Sequence, residues 1–549
     1  MFGLMQDWPL TVDRIIDHAA RWHGGKEVVS RSVEGPIVRT SYAALNERAR
    51  RLSAALRQLG VAPGDRVATL AWNTARHVEA WYAIMGIGGI CHTLNPRLFE
   101  EQLCAIIHHA QDSIIFTDLT FVPVLRERWD SLECVRHLII MTGRDGMEGV
   151  NIPGALCYED LIDQHAPDAG WGGFDENTAA GLCYTSGTTG DPKGVLYSHR
   201  SNFLHTLATI GPDVFGLSER ETILAAVPMF HANAWGLGFS APATGARLVM
   251  PGARLDGASL HELIESEGVT FSAGVPTVWH MLLDHLRATG GRLDTLKRVF
   301  VAGSALPEAM LRSYRDNYGV EMIHAWGMTE LSPLGTAATM TAGVGNLAPD
   351  AQLAIRLKQG RPPLGIDLKL TDDGGKPLPH DGVSFGRLKV RGPFVTRQYY
   401  HEDAPLLDED GFFDTGDVAT IDAHGFMQIT DRAKDVIKSG GEWISSIQIE
   451  NIAIGHPKAA LCAVIGMPHP RWGERPLLLV KPKPGEKPTE QEFLAFLENR
   501  VARWWLPDQI VFIEDIPLTA TGKIDKKLIR AQLRGQSLPS LRDDSAGAH

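Results

Sequence analysis

The sequence predicts an α/β fold: a large N-terminal domain with a β-rich subdomain, followed by a small α+β C-terminal domain. Three observations predict it. The chain has 549 residues, and a single hydrophobic core stops growing near roughly 250–300 residues. Up to about residue 360, apolar helical patterns alternate with short strand-like runs, as in layered folds with mostly parallel strands. Beyond it, polar glycine-containing turns separate short β-like pieces.

The elements follow in order. From Leu45 to Leu59, apolar Leu45, Ala49, Leu52, Leu56 and Leu59 recur at spacings of three and four, which predicts a helix. Gly60 stops it and Pro63-Gly64-Asp65 turns the chain. Arg66 to Leu70 reads as a buried strand, His77 to Met85 as a helix, and Ile114 to Phe116 as the next strand. After the shift, Asp372-Asp373-Gly374-Gly375 and Asp408-Glu409-Asp410-Gly411 are turns, and Gly386 to Gly392 is β-like. The chain becomes polar near Asp431-Arg432-Ala433-Lys434 and runs on into a compact α/β segment. The expected division is a large domain over 1–430, a connector over 431–436, a small domain over 437–535 and a flexible tail over 536–549, poor in large apolar residues.

The net charge of −12 argues against a nucleic-acid or anionic-membrane surface, although a local basic pocket remains compatible with it. Six cysteines, Cys91, Cys104, Cys134, Cys157, Cys183 and Cys462, are scattered without a CxxC pair. That pattern fits reduced thiols in a cytoplasmic protein better than a disulfide framework or a zinc site. No run reaches the roughly 18 apolar residues of a membrane helix, and no secretory signal is expected.

The strongest local signal is Tyr184-Thr185-Ser186-Gly187-Thr188-Thr189-Gly190-Asp191-Pro192-Lys193-Gly194. Glycines let backbone N–H groups approach an anion, hydroxyls add donors, and the lysine adds a point charge. A generic Ser/Thr/Gly loop is more often plain surface. It is not a Walker A loop, because no Ser or Thr follows the lysine. Gly343-Val344-Gly345-Asn346-Leu347-Ala348 fits a dinucleotide pattern on paper; it is rejected because no apolar strand is expected before it and Pro349 follows where a helix should run.

The eleven-residue string, without a departure, resembles the phosphate-binding signature of the adenylate-forming superfamily of acyl-CoA synthetases, luciferases and peptide-synthetase adenylation domains. Further blocks follow in the family's order and carry the resemblance from about Thr40 to Lys527. Trp326-Gly327-Met328-Thr329-Glu330 is similar to the aromatic-Gly-x-Thr-Glu block, with Trp where the family usually has Tyr. Thr415-Gly416-Asp417 resembles the ribose-binding block, and Arg432 falls at the second ribose contact, beside a hinge at Asp431. Lys438-Ser439-Gly440-Gly441-Glu442-Trp443-Ile444 resembles the pantetheine-tunnel loop. Pro517 to Lys527 resembles the block whose lysine, here Lys523, is catalytic. Pro228-Met229-Phe230-His231-Ala232-Asn233-Ala234-Trp235 resembles the block before the acyl pocket.

The resemblance implies an enzyme that uses ATP, Mg²⁺ and CoA to turn a carboxylic acid into an acyl-adenylate and then a thioester, with a mobile small domain. It assigns Lys523, His231, Glu330 and Thr185 to catalysis. Thr185, Ser186, Gly187, Thr188, Thr189, Gly190 and Lys193 go to the phosphates. Gly303, Ser304, Ala305, Ala325, Trp326, Gly327, Met328 and Thr329 go to the rest of the nucleotide, with Asp417, Arg432 and Lys434. Lys438, Gly440, Gly441, Glu442 and Trp443 go to CoA; Thr185 and Glu330 go to the metal; His231, Trp235, Gly327 and Met328, with Phe230 and Ala234, go to the acid. Within the superfamily the chain is similar to bacterial short- and medium-chain acyl-CoA ligases, including those acting on 3-methylmercaptopropionate in dimethylsulfoniopropionate breakdown. Relatives are often dimers. Loading of a carrier protein, longer fatty acids and luciferase-type oxygenation are the competing activities within the superfamily.

Overall fold

The computed structural model describes residues 1, 3–185, 192–440, 442–498, 500–518 and 524–533. The chain forms two compact units: Met1–Asp367 with Arg391–Phe413, and Leu368–Val390 with the chain from Asp414 onward.

The first unit holds two large sheets. One has seven strands, in the order Leu156–Cys157, His137–Ile140, Ile114–Thr117, Arg66–Leu70, Ile90–Thr93, Ala179–Thr185 and Lys193–Ser198. All neighbours are parallel except the last pair. The other has eight strands, in the order Leu334–Ala337, Glu321–Gly327, Arg298–Val301, Phe271–Gly274, Thr222–Leu224, Arg247–Met250, Glu27–Arg31 and Ile37–Ser41. Only its two edge strands run antiparallel to their neighbours. Parallel neighbours need crossovers, and the helices supply them while covering the sheets; Ile114–Thr117 is therefore buried along its whole length.

The expected elements are present with shifted ends. The first helix runs Tyr42–Gln58 and buries Leu45, Ala49, Leu52 and Leu56. It starts three residues earlier than its apolar pattern because the Ser41 hydroxyl accepts from the Ala44 N–H and caps it. The next expected helix spans Ala75–Gly86, capped by Thr74, and every residue in it except Arg76 is buried. The rejected glycine motif lies in a short helix, Ala342–Gly345, where a Cβ on Gly343 or Gly345 would meet open space. Contrary to both expectations, Pro349 does not block a helix but opens Pro349–Arg356 from the first turn, where its missing N–H costs nothing. A strand, Leu334–Ala337, also precedes the motif.

The second unit has a four-stranded sheet, Asp367–Thr371, Phe385–Arg391, Phe413–Ile421 and Met427–Arg432. Its five-stranded sheet runs Glu442–Ile444, Ile437–Ser439, Gly473–Pro482 and Ala459–His469, with Gln509–Phe512 parallel to Gly473–Pro482. The β-rich part thus groups with the C-terminal half, and the 430/431 position falls inside strand Met427–Arg432. The physical reason is local: Lys438 reaches Asp373 at 3.5 Å, and the rings of Phe385 and Trp443 lie 5.6 Å apart. The 536–549 tail lies outside the described residues. Among those described, no helix is long and apolar enough to cross a membrane.

Four of the histidines buried in the first unit resist protonation. Burial pulls His77, His199 and His324 down to about 4 and His205 to about 3 from an ordinary 6.5. The unfolded chain takes these protons near pH 6.5 and the folded chain refuses them until about pH 4. Their stability contribution is therefore complete above pH 6.5 and is lost as the pH falls towards 4. For His324→Gln, the fall in unfolding free energy between pH 7 and pH 5 should be smaller than in the parent by about 2 kcal/mol. Urea unfolding at the two pH values measures it, and an undiminished fall in the variant contradicts the assignment.

Candidate active site

The site-bearing residues of the first unit cluster at strand ends, where α/β sheets bind ligands. Strand Ala179–Thr185 turns back into Lys193–Ser198, and the antiparallel register pairs Thr185 with Lys193 and Tyr184 with Gly194. The mouth of the phosphate-type loop is thereby fixed. Ser186, Gly187, Thr188, Thr189 and Gly190 lie outside the described residues. The Lys193 ammonium sits 3.1 Å from Glu402 Oε2 and 4.7 Å above the Tyr399 ring.

Tyr399 in turn donates its phenol proton to Glu330 Oε1 at 2.8 Å. Burial, then the Glu330 charge, raises the phenol's pKa, so it stays a donor. Glu330 lies in the turn Thr329–Leu331, 6% exposed. A second phenol, Tyr197 on the hairpin's return strand, donates to the Thr329 carbonyl at 2.7 Å. Strand Ala179–Thr185 therefore packs beside the turn that carries Glu330. Among the described residues, no group of three or more His, Cys, Asp or Glu could hold an ion alone. The Glu330 carboxylate and Thr185 hydroxyl are hard oxygen donors and fit Mg²⁺, which takes most of its ligands from phosphates and water.

Ala325, Trp326 and Gly327 end strand Glu321–Gly327, and Met328 leads into the Glu330 turn. Gly303, Ser304 and Ala305 follow the neighbouring parallel strand Arg298–Val301, Gly303 with φ +88°. Trp326 is 7% exposed, and its ring lies so close to Gly335 that a Cβ there would come within 2.3 Å. At Gly327 a Cβ would meet the Pro333 carbonyl at 2.2 Å.

The segment expected at the acyl pocket has an unusual backbone. After His231, residues Ala232, Asn233, Ala234 and Trp235 have φ of +44°, +52°, +50° and +53°, and Gly236 follows at +79°. Left-handed geometry costs non-glycine residues roughly 1–2 kcal/mol each, and such strain concentrates at functional positions. The turn places Trp235 half-buried against the main core. Phe230 is buried with its ring 6.0 Å from that of Trp72.

In the second unit, the antiparallel strands Phe413–Ile421 and Met427–Arg432 put Asp417 opposite Arg432, and Arg432 Nε meets Asp417 Oδ1 at 2.8 Å. Burial lowers the pKa of Lys434. Strands Ile437–Ser439 and Glu442–Ile444 form a hairpin. Lys438 Nζ lies 5.3 Å from the Trp443 ring centre, and Gly440 has φ +63° against the Trp472 ring. Gly441, the Glu442 side chain and Lys523 lie outside the described residues.

The model of the AMP-binding enzyme family matches residues 16–400, and that of the AMP-binding enzyme C-terminal domain matches 448–523. The chain belongs to the AMP-binding enzyme family. A 3-methylmercaptopropionyl-CoA ligase of Ruegeria lacuscaerulensis is 49% identical over 534 residues, 97% of this chain and 99% of the relative. A medium-chain-fatty-acid–CoA ligase of Ectopseudomonas oleovorans is 50% identical over 530 residues, 96% and 97% of the two chains. The crystal structure of an anthranilate CoA ligase with anthranoyl-AMP superposes with a TM-score of 0.84 at 25% identity, covering 96% of this chain and 99% of that one.

Several residues of this family member carry the site without a sequence signal. Tyr399 and Glu402 lie 69 and 209 residues from the partners they touch. Gly335 shows its part only once the Trp326 ring is seen against it. Gly335→Ala should push that indole from its seat and cost about 1–3 kcal/mol by overpacking. Thermal unfolding with indole fluorescence tests this, and an unchanged midpoint and spectrum contradict it.

Proposed function

We propose that this AMP-binding family member joins a short or medium-chain carboxylic acid to CoA through an acyl-adenylate, with 3-methylmercaptopropionate and similar short acids as substrates. The observation that carries the reading is the near-50% identity, over almost the full length, to two relatives named as CoA ligases for 3-methylmercaptopropionyl and medium-chain fatty acyl groups. A thioether and a methylene have similar bulk, and one methylene is worth only about 1–3 kcal/mol of discrimination. A pocket for one such acid therefore admits alkanoates such as butyrate. Six free cysteines support a cytoplasmic setting.

The substrate carboxylate attacks the α-phosphorus of ATP; an O–P bond forms and pyrophosphate leaves. The thiolate of CoA then attacks the acyl carbon and AMP leaves. Catalysis of the first step is positioning and charge stabilisation. The segment from Thr185 to Lys193 holds the β- and γ-phosphates, Trp326 stacks on adenine, and Gly303, Ser304, Ala305 and Ala325 line the nucleotide. Thr185 and Glu330 would hold Mg²⁺, which when bound neutralises phosphate charge. Asp417 and Arg432 take the ribose, and Lys523 bridges the carboxylate and the α-phosphate. His231, Trp235, Gly327 and Met328 shape the acyl site. Lys438, Gly440, Gly441, Glu442 and Trp443 guide the pantetheine after a rotation about Asp431. The pairing of Thr185 with Lys193 and the buried Glu330 bonded to Tyr399 support the phosphate and metal roles.

The test is a product assay with Mg-ATP, CoA and a panel of 3-methylmercaptopropionate, butyrate, octanoate and benzoate. AMP and acyl-CoA should appear in equal amounts, highest with the short acids. Lys523→Ala should slow adenylation at least about 100-fold while sparing thioester formation from supplied acyl-adenylate. ADP as product, AMP without acyl-CoA, or equal loss of both half-reactions contradicts the reading.

A further inference from the structure

Within the second unit, three segments meet through buried polar side chains. Asp431 ends strand Met427–Arg432, Ser446 and Glu450 belong to helix Ser446–Ala453, and Lys526 opens helix Lys526–Leu533. The Ser446 N–H donates to Asp431 Oδ2 at 2.5 Å and the Ser446 hydroxyl to Asp431 Oδ1 at 3.0 Å. Lys526 Nζ donates to Ser446 Oγ at 2.6 Å and pairs with Glu450 Oε1 at 2.8 Å. Glu450 Oε1 also accepts from the Val464 N–H at 2.6 Å. Asp431 and Ser446 are fully buried, and the Lys526 side chain is 10% exposed.

A lysine at the first residue of a helix opposes the helix dipole, and a buried ammonium survives only with partners. Lys526 therefore does not read as a solvated surface charge; the site is built around it. Four residues on, Arg530 Nη1 meets Asp435 Oδ1 at 2.6 Å, a second tie from the same helix to the 431–436 segment.

The chain just before Lys526 is also clamped. Leu518 and Ile524 form an antiparallel bridge, and the Asp525 N–H donates to the Pro517 carbonyl at 2.8 Å. These contacts bring together the two ends of the 519–523 segment, which includes Lys523 and lies outside the described residues. Lys526 is the second residue beyond that bridge.

We propose that Lys526 is a positioning residue for adenylation: through Ser446 and Glu450 it locks the base of the Lys523 loop to Asp431, the expected pivot. This rests on the assignment of Lys523 to the adenylation step. The described flank over 524–526 and the pivot then move as one body, which fixes the point from which the chain departs towards Lys523. Misplacement by about 1 Å can cost about 100-fold in rate.

Four variants test it in both half-reactions: Lys526→Met, Lys526→Arg, the double variant Glu450→Gln/Lys526→Met, and Lys523→Ala. Lys526→Met should lower kcat of adenylation about 10- to 100-fold, leave KM for ATP and acid within about 3-fold, and spare thioester formation from supplied acyl-adenylate. Lys526→Arg, which keeps the charge, should recover part of the adenylation rate. Lys526→Met also leaves the Glu450 carboxylate buried without its cation, which itself destabilises. The double variant removes that charge, so thermal stability should recover while adenylation stays slow. Recovery of adenylation together with stability, or equal loss of both half-reactions, makes Lys526 merely structural and overturns the proposal. Slow adenylation in Lys523→Ala with normal adenylation in Lys526→Met overturns the positioning role alone. Normal adenylation in Lys523→Ala overturns the catalytic assignment as well.

Discussion

Two phenol hydroxyls hold the first unit's site together. Tyr197 bonds the Thr329 carbonyl and Tyr399 bonds the Glu330 carboxylate, so the β-hairpin and the acidic turn keep one geometry. The register that pairs Thr185 with Lys193 sets the mouth of the phosphate-type loop. A buried carboxylate such as Glu330 is costly unless it is bonded, and the Tyr399 phenol supplies the bond. The same phenol ring lies under the Lys193 ammonium, which Glu402 also holds. Cation, carboxylate and hydroxyl are thus arranged by the protein itself, as the phosphate and metal roles proposed for them require of a preorganised site.

The sequence makes much of this legible, for identifiable reasons. Helices such as Tyr42–Gln58 follow from apolar spacing, and strands such as Ile114–Thr117 from short buried runs. Asp417 and Arg432 are named separately as ribose ligands and stand opposite one another across two strands. What escaped depends on long-range packing or on backbone conformation. Nothing in the string around Tyr399 points to Glu330, because the contact is made by folding. The left-handed run from Ala232 to Trp235 contains no glycine, the residue that ordinarily marks such geometry, so only the three-dimensional structure reveals it. The grouping of the four-stranded sheet with the C-terminal half was hidden in the same way, since segment 391–413, lying between its strands, belongs to the first unit.

The second unit shows how buried charge organises structure as well as chemistry. Asp431, Ser446, Glu450 and Lys526, with the Val464 N–H, bond one another at the junction of three segments. A network of this kind adds little to stability relative to a well-packed apolar cluster, but it specifies one arrangement. The first unit pairs Thr185 with Lys193 at the mouth of the segment proposed for phosphate, and the second ties Lys526, just beyond the Lys523 segment, to Asp431 through Ser446.

The most direct test of an acyl-adenylate route follows oxygen from the substrate. The carboxylic acid is labelled with ¹⁸O in both oxygens and turned over with Mg-ATP and CoA, and the AMP is analysed by mass spectrometry. Attack of the carboxylate on the α-phosphorus predicts one ¹⁸O atom in each AMP released. Unlabelled AMP, or label recovered in inorganic phosphate with ADP, would contradict it.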